Sequence, residues 1–242
     1  MLLSLIVPVF NNAPLITPFL DELSGLSVEW PFFSEAIFID DASTDASRNV
    51  LNESVNRLPI SSRLICLEQN KDQGKAIVEG LKNASGDFAL TFSVDMKENL
   101  SDIQRILAEF MERNSPIMHL VRQERKYPSA SRKIVSLLFN SFLKLIGLNM
   151  FDIGSSLYMA KKAYYQKLIR PEYGQFHAAL PVLIWKLSGT IPTFPITDRS
   201  AERHSSSYAF RKLTVFAWQM VLSALRPLPQ SSEPSRNTVQ QI

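Results

Sequence analysis

"AIFIDDASTD", residues 36–45, runs from four apolar positions into two adjacent aspartates, a Ser-Thr pair and a third aspartate. An unbroken apolar run closed by turn-forming residues reads as a strand buried on both faces, with the polar cluster at its carboxyl end. Three more runs have this form: "LLSLIVPVF" (2–10), "RLICLE" (63–68) and "FALTFSVD" (88–95). Helical patterns over about 13–26, 43–57, 75–84 and 101–112 separate them. The βαβαβαβ alternation predicts an α/β fold, a mostly parallel, Rossmann-like central sheet flanked by helices. Ligands of such sheets gather outside the carboxyl ends of the strands. Those ends carry Pro8-Val9-Phe10-Asn11, Asp40-Asp41, Gln69-Asn70 and Ser93-Val94-Asp95, so polar and acidic groups are expected to converge on one rim.

Beyond residue 114 the pattern changes. "PIMHLVRQE" predicts a strand, "ASRKIVSLLFNSFLKLIGL" an amphipathic basic helix, and "SSLYMAK" another strand. A helix near 177–188, a strand "TIPTFPIT" and a polar loop "DRSAERHSSSY" follow. No Gly/Pro/Ser-rich linker divides the chain, so a single domain is expected over 1–226, with halves 1–113 and 114–226 sharing one sheet. Residues 227–242 are expected to form a disordered tail.

Composition narrows the classes. The chain has 242 residues, 45% of them hydrophobic, which suffices for a packed core. Cys66 is the single cysteine, so no internal disulfide is available, and no charged-then-apolar leader opens the sequence; a reducing, cytoplasmic setting is the expectation. The net charge of +3 conceals an asymmetry. Residues 1–121 hold 9 Lys/Arg against 17 Asp/Glu, and residues 122–242 hold 17 against 6. A basic second half suits an anionic partner. No run approaches the roughly 18 apolar residues of a membrane span. "LTVFAWQMVLSALRPL", 213–228, reads instead as a buried or interfacial helix. Neither a Gly-x-Gly-x-x-Gly nor a Walker loop is present, and the arrayed aromatics of a nucleic-acid module are missing.

Each rim motif has two readings. "DDASTD" is either turn and cap chemistry, with Asp41 or Ser43 accepting from the next helix's first amides, or a ligand site in which one carboxylate takes a nucleobase N–H and its neighbour a ribose hydroxyl. "VPVFNN" either ends a strand or packs backbone and Phe10 against a base or ribose. In "NKDQGKAIVEGLKNASGD", 70–87, Gly80 inside a helix costs about 1 kcal/mol relative to alanine, which points to close approach by another backbone or a ligand.

These stretches, in this order, resemble the family 2 glycosyltransferases of the GT-A fold, over about residues 2–225. The family's Pro-x-Tyr/Phe-Asn, Asp-Asp-x-Ser-x-Asp, Asn…Gly…Gly…Gly-Asp and Asp-x-Asp segments match Pro8 to Asn11, Asp40 to Asp45, Asn70 to Asp87, and Ser93 to Asp95. The resemblance implies a nucleotide-sugar site made of Pro8, Val9, Phe10, Asn11, Asp40, Asp41, Gly74, Lys75, Ser93, Val94 and Lys97. The second half is similar to polyprenyl-phosphate sugar transferases of the dolichyl-phosphate mannose synthase type, with Arg132, Ser136, Asn140, Asp152 and Ser155 on matching positions. "ERHSSSYAFRKL" looks like that subgroup's Arg-x-x-Gly-x-Ser-x-Tyr loop without its glycine, so Arg199 and Arg203 both compete for the family arginine's place. Many subgroup members continue into membrane-spanning helices. The expectation here is a chain that at most touches a membrane surface or a membrane partner.

The chemistry implied is sugar transfer from a nucleotide diphosphate. Related enzymes hold Mg²⁺ or Mn²⁺ with an Asp-x-Asp-x-Gln segment, and the matching positions are Ser93, Asp95 and Lys97. Asp95 is the remaining metal ligand and a catalytic candidate. A protonated lysine repels a cation, so metal dependence is doubtful. Its ammonium either neutralises the diphosphate or points to solvent beside Glu98. No Glu-Asp pair that would serve as a base follows residue 23, and a phosphate monoester needs none because it is already anionic at neutral pH. A polyprenyl phosphate or related envelope-lipid or glycan acceptor is therefore expected. Arg122, Arg125, Arg199 and Ser205 are candidates for the acceptor phosphate; Arg132, Arg203 and Asp152 complete the catalytic set. Asp152 and His177 are fallback bases for a hydroxyl acceptor, and His119 and His204 read as structural. The competing reading is a degenerate transferase that binds nucleotide or an active partner, motivated by Ser93, Lys97 and the altered loop.

Overall fold

The computed structural model describes residues 2–29, 33–94, 100–123, 130–145, 147–148, 156–197 and 210–229. Strands β1 (Leu3–Val9), β2 (Phe33–Asp40), β3 (Ser61–Cys66) and β4 (Phe88–Thr91) alternate with helices α1 (Ala13–Glu29), α2 (Ser47–Ser54) and α3 (Gln73–Lys82). Then follow α4 (Ile103–Arg113), β5 (Ile117–Gln123), α5 (Ala130–Leu145), β6 (Tyr158–Lys161), α6 (Lys162–Leu168), α7 (Leu180–Ser188), β7 (Thr193–Thr197) and α8 (Phe210–Leu225). The sheet order is β3-β2-β1-β4-β6-β5-β7. Only β6 runs antiparallel to its neighbours β4 and β5. The mostly parallel α/β sheet expected from the alternation is present, and it continues from the first half into the second through the β4–β6 pair.

The apolar runs are continuous because both sheet faces are covered. On one face Leu3, Leu5, Val7 and Val9 pack with Phe19 and Leu23 of α1 and with Ile103, Ile106 and Phe110 of α4. On the other, Ile6, Ile37 and Ile39 meet Ala76, Ile77 and Leu81 of α3 and Leu180 and Leu183 of α7. A third cluster joins Leu143 of α5, Val182 of α7 and Met220 of α8.

Several expectations shift. β4 ends at Thr91 rather than running to 95: the Thr91 hydroxyl accepts the Tyr158 amide at 2.8 Å, while Phe92 and Val94 continue into the core. β2 starts three residues earlier than the apolar run, because the charge of Glu35 is satisfied inside the fold. α6 was not anticipated. The close approach expected at Gly80 comes from neither backbone nor ligand: a Cβ there would lie 2.5 Å from Ile6 Cγ2 and 2.7 Å from Ile39 Cδ1. Leu228, assigned to the tail, packs half-buried against the α3-side core; residues 230–242 lie outside the described residues.

Candidate active site

Val9 of β1 stands in register with Asp40 of β2, and Asp40 with Cys66 of β3, so three loops leave the sheet from one edge. The first two are laced together by short polar side chains. Asn11 adopts φ +53°, a left-handed conformation that asparagine tolerates. Its amide donates to Ser43 Oγ at 3.0 Å, and its side-chain oxygen accepts from the amides of Thr44 at 2.8 Å and Asp45 at 3.3 Å. The Asn12 amide donates to Ser47 Oγ at 2.9 Å. Asp45 accepts from Ala13, the first residue of α1, at 3.1 Å, and from the Ser47 amide at 2.9 Å. Partial burial pushes the Asp45 carboxyl up, but the Ser47 hydroxyl and amide outweigh it and hold it below 3.8. The cap expected from Asp41 or Ser43 is not formed: Ser43 Oγ accepts the Asn11 amide and Asp41 Oδ1 the Lys71 amide, and it is Asp45 that accepts the Ser47 amide at the start of α2.

The two leading aspartates behave differently. Asp40 is fully buried, with one oxygen 2.7 Å from Arg48 Nε and the other accepting the Ser43 amide at 3.2 Å; Arg48 also donates to the Leu67 carbonyl. Its carboxylate anchors α2 to the ends of β2 and β3. Asp41 lies one residue further out, where the third loop arrives: its Oδ1 accepts the Lys71 amide at 2.7 Å and its carbonyl accepts from Asn70 Nδ2. Burial raises the Asp41 carboxyl above 3.8; the Lys71 amide opposes this, and the neighbouring Asp72 and Asp40 carboxylates reinforce it. Asp41 thus sits where the loops after β2 and β3 meet.

Around Asp41 the remaining candidates fall as follows. Pro8 and Phe10 are half-buried and Val9 is buried. Lys75 is exposed in the first turn of α3. Gly74 has a packing reason for its lack of side chain, since a Cβ would lie 2.2 Å from the His177 carbonyl oxygen. Ser93 is half-buried between buried Phe92 and Val94. Arg122 is half-buried near the end of β5, which runs parallel to β1 three places along the sheet, about 14 Å away at ~4.8 Å per strand. Arg132 falls in the first turn of α5. Asp95, Lys97, Arg125, Asp152, Ser155, Arg199, Arg203, His204 and Ser205 lie outside the described residues. His177, the fallback base, is buried with Nε2 3.0 Å from the Leu168 carbonyl; burial holds its imidazole below 6.5, which marks it as structural. His119 is likewise buried, stacked on Tyr158 with ring centroids 4.5 Å apart.

Sequence reasoning missed the groups that bring the second half to the rim. Because β6 is antiparallel, its amino end lies at the carboxyl ends of the other strands, and Ser156 Oγ donates to Gln73 Oε1 at 3.3 Å. Gln219 of α8 donates to Asp72 Oδ2 at 3.3 Å, across 147 residues of sequence. No local pattern announces such pairs.

The profile of the family described as "Glycosyl transferase family 2" matches residues 4–169. The chain belongs to glycosyl transferase family 2. Among curated proteins, this family 2 domain is 27% identical over 213 residues to a dodecaprenyl-phosphate galacturonate synthase of Rhizobium johnstonii, covering 87% of this chain and 61% of the relative. It is 24% identical over 221 residues to an undecaprenyl-phosphate 4-deoxy-4-formamido-L-arabinose transferase of Edwardsiella ictaluri, covering 90% and 66%. The chain thus spans less than two thirds of the length of these relatives. Among solved structures, glucosyl-3-phosphoglycerate synthase of Mycobacterium tuberculosis with UDP superposes with a TM-score of 0.66 at 17% identity, over 93% of this chain and 79% of that one. The same enzyme with Mn²⁺ and UDP-glucose gives 0.67 at 15% identity, over 92% and 78%. The fold is GT-A.

Among the described residues no group of three His, Cys, Asp or Glu side chains is placed to hold a metal ion. At the positions where the family resemblance puts ligands, the sequence offers a neutral hydroxyl at Ser93, one carboxylate at Asp95 and an ammonium at Lys97.

Proposed function

We propose that this family 2 domain transfers a sugar, with inversion, from a nucleoside-diphosphate donor to a polyprenyl phosphate. The observation that carries the reading is that the loops after β1, β2 and β3 leave one edge of the sheet and are bonded to one another, the first to Ser43 and Thr44 and the third to Asp41, where parallel sheets take their ligands. The names of the two curated relatives supply the acceptor class. In this reading the segment Pro8 to Asn11 flanks the nucleoside, Asp41 accepts an N–H of the base, and Asp40 acts indirectly by fixing α2. Lys75 and Lys97 face the diphosphate, whose leaving charge they neutralise in place of a full metal site. Arg122, Arg125, Arg132, Arg199, Arg203 and Ser205 receive the acceptor phosphate.

The reaction forms a bond from an acceptor phosphate oxygen to the anomeric carbon. It breaks that carbon's bond to the diphosphate, which leaves with the electron pair. A phosphate monoester has its second pKa near 6, so at neutral pH the nucleophile is an anion and no general base is required.

The test is purified protein with UDP-, GDP- and dTDP-sugars and polyprenyl phosphate, in EDTA or in Mn²⁺. A lipid-linked sugar is expected from one donor, in EDTA as well as with Mn²⁺, and is lost in Asp95→Ala. Asp41→Asn is expected to weaken nucleotide binding by about 10- to 100-fold, the size of one hydrogen bond to a charged group. Nucleotide binding with no transfer in any combination overturns the reading in favour of a degenerate, nucleotide-binding relative. The substitutions at Ser93 and Lys97 are the observation behind that second reading.

A further inference from the structure

Three elements of the second half close on the start of α3. The helical turns Pro171–Ala179 pass so near Gly74 that a Cβ there would lie 2.2 Å from the His177 carbonyl oxygen. Ser156, just before β6, donates to Gln73 Oε1, and Gln219 of α8 donates to Asp72 Oδ2, each at 3.3 Å. Gln219 is half-buried, and its neighbour Met220 is buried in one cluster with Ala179 and Val182, which fixes where the Gln219 amide can reach.

Asp72 is where this closure meets the rim. Its φ of +72° with ψ 152° is a conformation that a residue with a side chain keeps only when its surroundings hold it there. In that conformation the amides of Lys71 and Asp72 both donate to the Asp41 carboxylate, Lys71 at 2.7 Å, while Asn70 Nδ2 donates to the Asp41 carbonyl. The Asp72 carbonyl accepts the Ala76 amide and so opens α3. Rotation about the Asp72 φ would relieve the strain. Because Ala76, Ile77 and Leu81 pack α3 into the core, the part that would turn is the Lys71–Asp72 peptide, whose N–H is on Asp41. Glycine would hold this backbone unaided, but it would give α8 no carboxylate to grip.

We propose that Gln219 is a positioning residue for the donor site: from α8 it holds the Asp72 side chain, and through it the two amides that orient Asp41. The clasp makes the grip of the first half on its ligand depend on the seating of α8, and by linkage a ligand on Asp41 steadies α8 in return. That Asp41 meets a nucleotide rests on the function proposed above; the clasp itself does not.

Two measurements on the whole chain test it together: hydrogen-exchange protection of the Lys71 amide, and calorimetry with UDP, GDP and dTDP. Gln219→Ala and Asp72→Ala are each expected to lower that protection and to weaken the preferred nucleotide by about three- to tenfold, the size of one ordinary hydrogen bond. Asp72→Gly loses the same carboxylate but takes the backbone conformation without strain, so it is expected to restore the parent's protection and affinity. Adding Gln219→Ala to Asp72→Gly is then expected to change neither. Unaltered Lys71 protection in Gln219→Ala overturns the proposal, as do equal losses in Asp72→Gly and Asp72→Ala, because the clasp would then not act through the backbone. Lowered protection with unaltered affinity also overturns it, since Gln219 would hold the loop without serving the donor site. A parent chain that binds none of the three nucleotides overturns the proposed function instead, and Lys71 protection in the variants still decides whether Gln219 orients the donors to Asp41.

Discussion

At the scale of single residues, the rim stores backbone strain. Asp72 sits at φ +72°, ψ 152°, a region that essentially only glycine occupies, and Ala42 sits at φ +57° in the turn between Asp41 and Ser43. Such conformations cost side-chain-bearing residues about 1–3 kcal/mol. Among the described residues the Asp72 side chain gains one exposed hydrogen bond, from Gln219, which is worth less than the strain, while its backbone bonds to Asp41 and Ala76 are equally open to glycine. Asp72→Gly is therefore expected to stabilise the protein by about 1–2 kcal/mol, read as a rise in the chemical denaturation midpoint. It also removes a carboxylate that helps raise the Asp41 carboxyl. A fall in midpoint would mean that the Gln219 contact outweighs the backbone term. Neither position was legible as strained, because a positive φ at Asp or Ala leaves no mark in composition or periodicity. The location of Asp41 was legible, because an apolar run ending in carboxylates puts those carboxylates at a strand end whatever the rest of the fold does.

At the scale of elements, the opposite edge of the sheet holds an ionic knot that the sequence concealed. Glu35 of β2 is 2% exposed; its Oε1 accepts from Ser4 Oγ at 2.7 Å, the Ser85 amide at 2.6 Å and Ser85 Oγ at 2.7 Å, and its Oε2 from Arg63 at 2.8 Å. Ser4 in turn accepts the Gly86 amide, and Tyr165 of α6 donates to the Gly86 carbonyl at 2.7 Å. The Gly86-Asp87 end of the 70–87 stretch thus fastens α3 to β1 and β2 far from the rim. Burial pushes the Glu35 carboxyl up, but the bonds from Ser85, Ser4 and Arg63 outweigh it and hold it below 4.5. A depressed carboxyl contributes stability that is present above the unfolded-state pKa and lost as pH falls through the folded one. Glu35→Gln is expected to cost about 2 kcal/mol at pH 7, a modest figure because Arg63 is half exposed. It should also flatten the stability profile below pH 4.5, measured by urea titration across pH; a variant that keeps the parent's acid slope would assign that slope elsewhere. A second test at this scale is Gly80→Ala. Helix propensity favours alanine by about 1 kcal/mol, whereas the Cβ would meet Ile6 and Ile39 below 3 Å. Overpacking of about 1–3 kcal/mol wins, so the variant is expected to be less stable, and a gain would show that α3 shifts freely on the sheet.

At the scale of the whole molecule, the parallel α/β plan followed from alternating apolar runs, each of which can bury both faces only between layers of helices. The place of the second half did not follow, because β6 pairs with β4 across about 70 residues and reverses direction where no local signal requires it. That insertion makes β4 an interior strand, with Thr91 bonded to Tyr158 and the sheet running unbroken from β3 to β7. Separating the halves would expose the β4 edge and the faces that Met118, Leu120, Phe194 and Ile196 share with the core of the first half. An open edge of that kind invites aggregation rather than independent folding. The chain is therefore expected to unfold in one cooperative step. Two of its three tryptophans, Trp185 and Trp218, lie in the second half, whereas the helices are shared between the halves, α1 to α4 in the first and α5 to α8 in the second, so dichroism reports both. Urea transitions followed by tryptophan emission and by far-ultraviolet dichroism should then coincide in midpoint and slope. An emission midpoint clearly below the dichroism midpoint would show that residues 114–226 melt first, and would make the second half a separately folding unit docked on a self-sufficient first half.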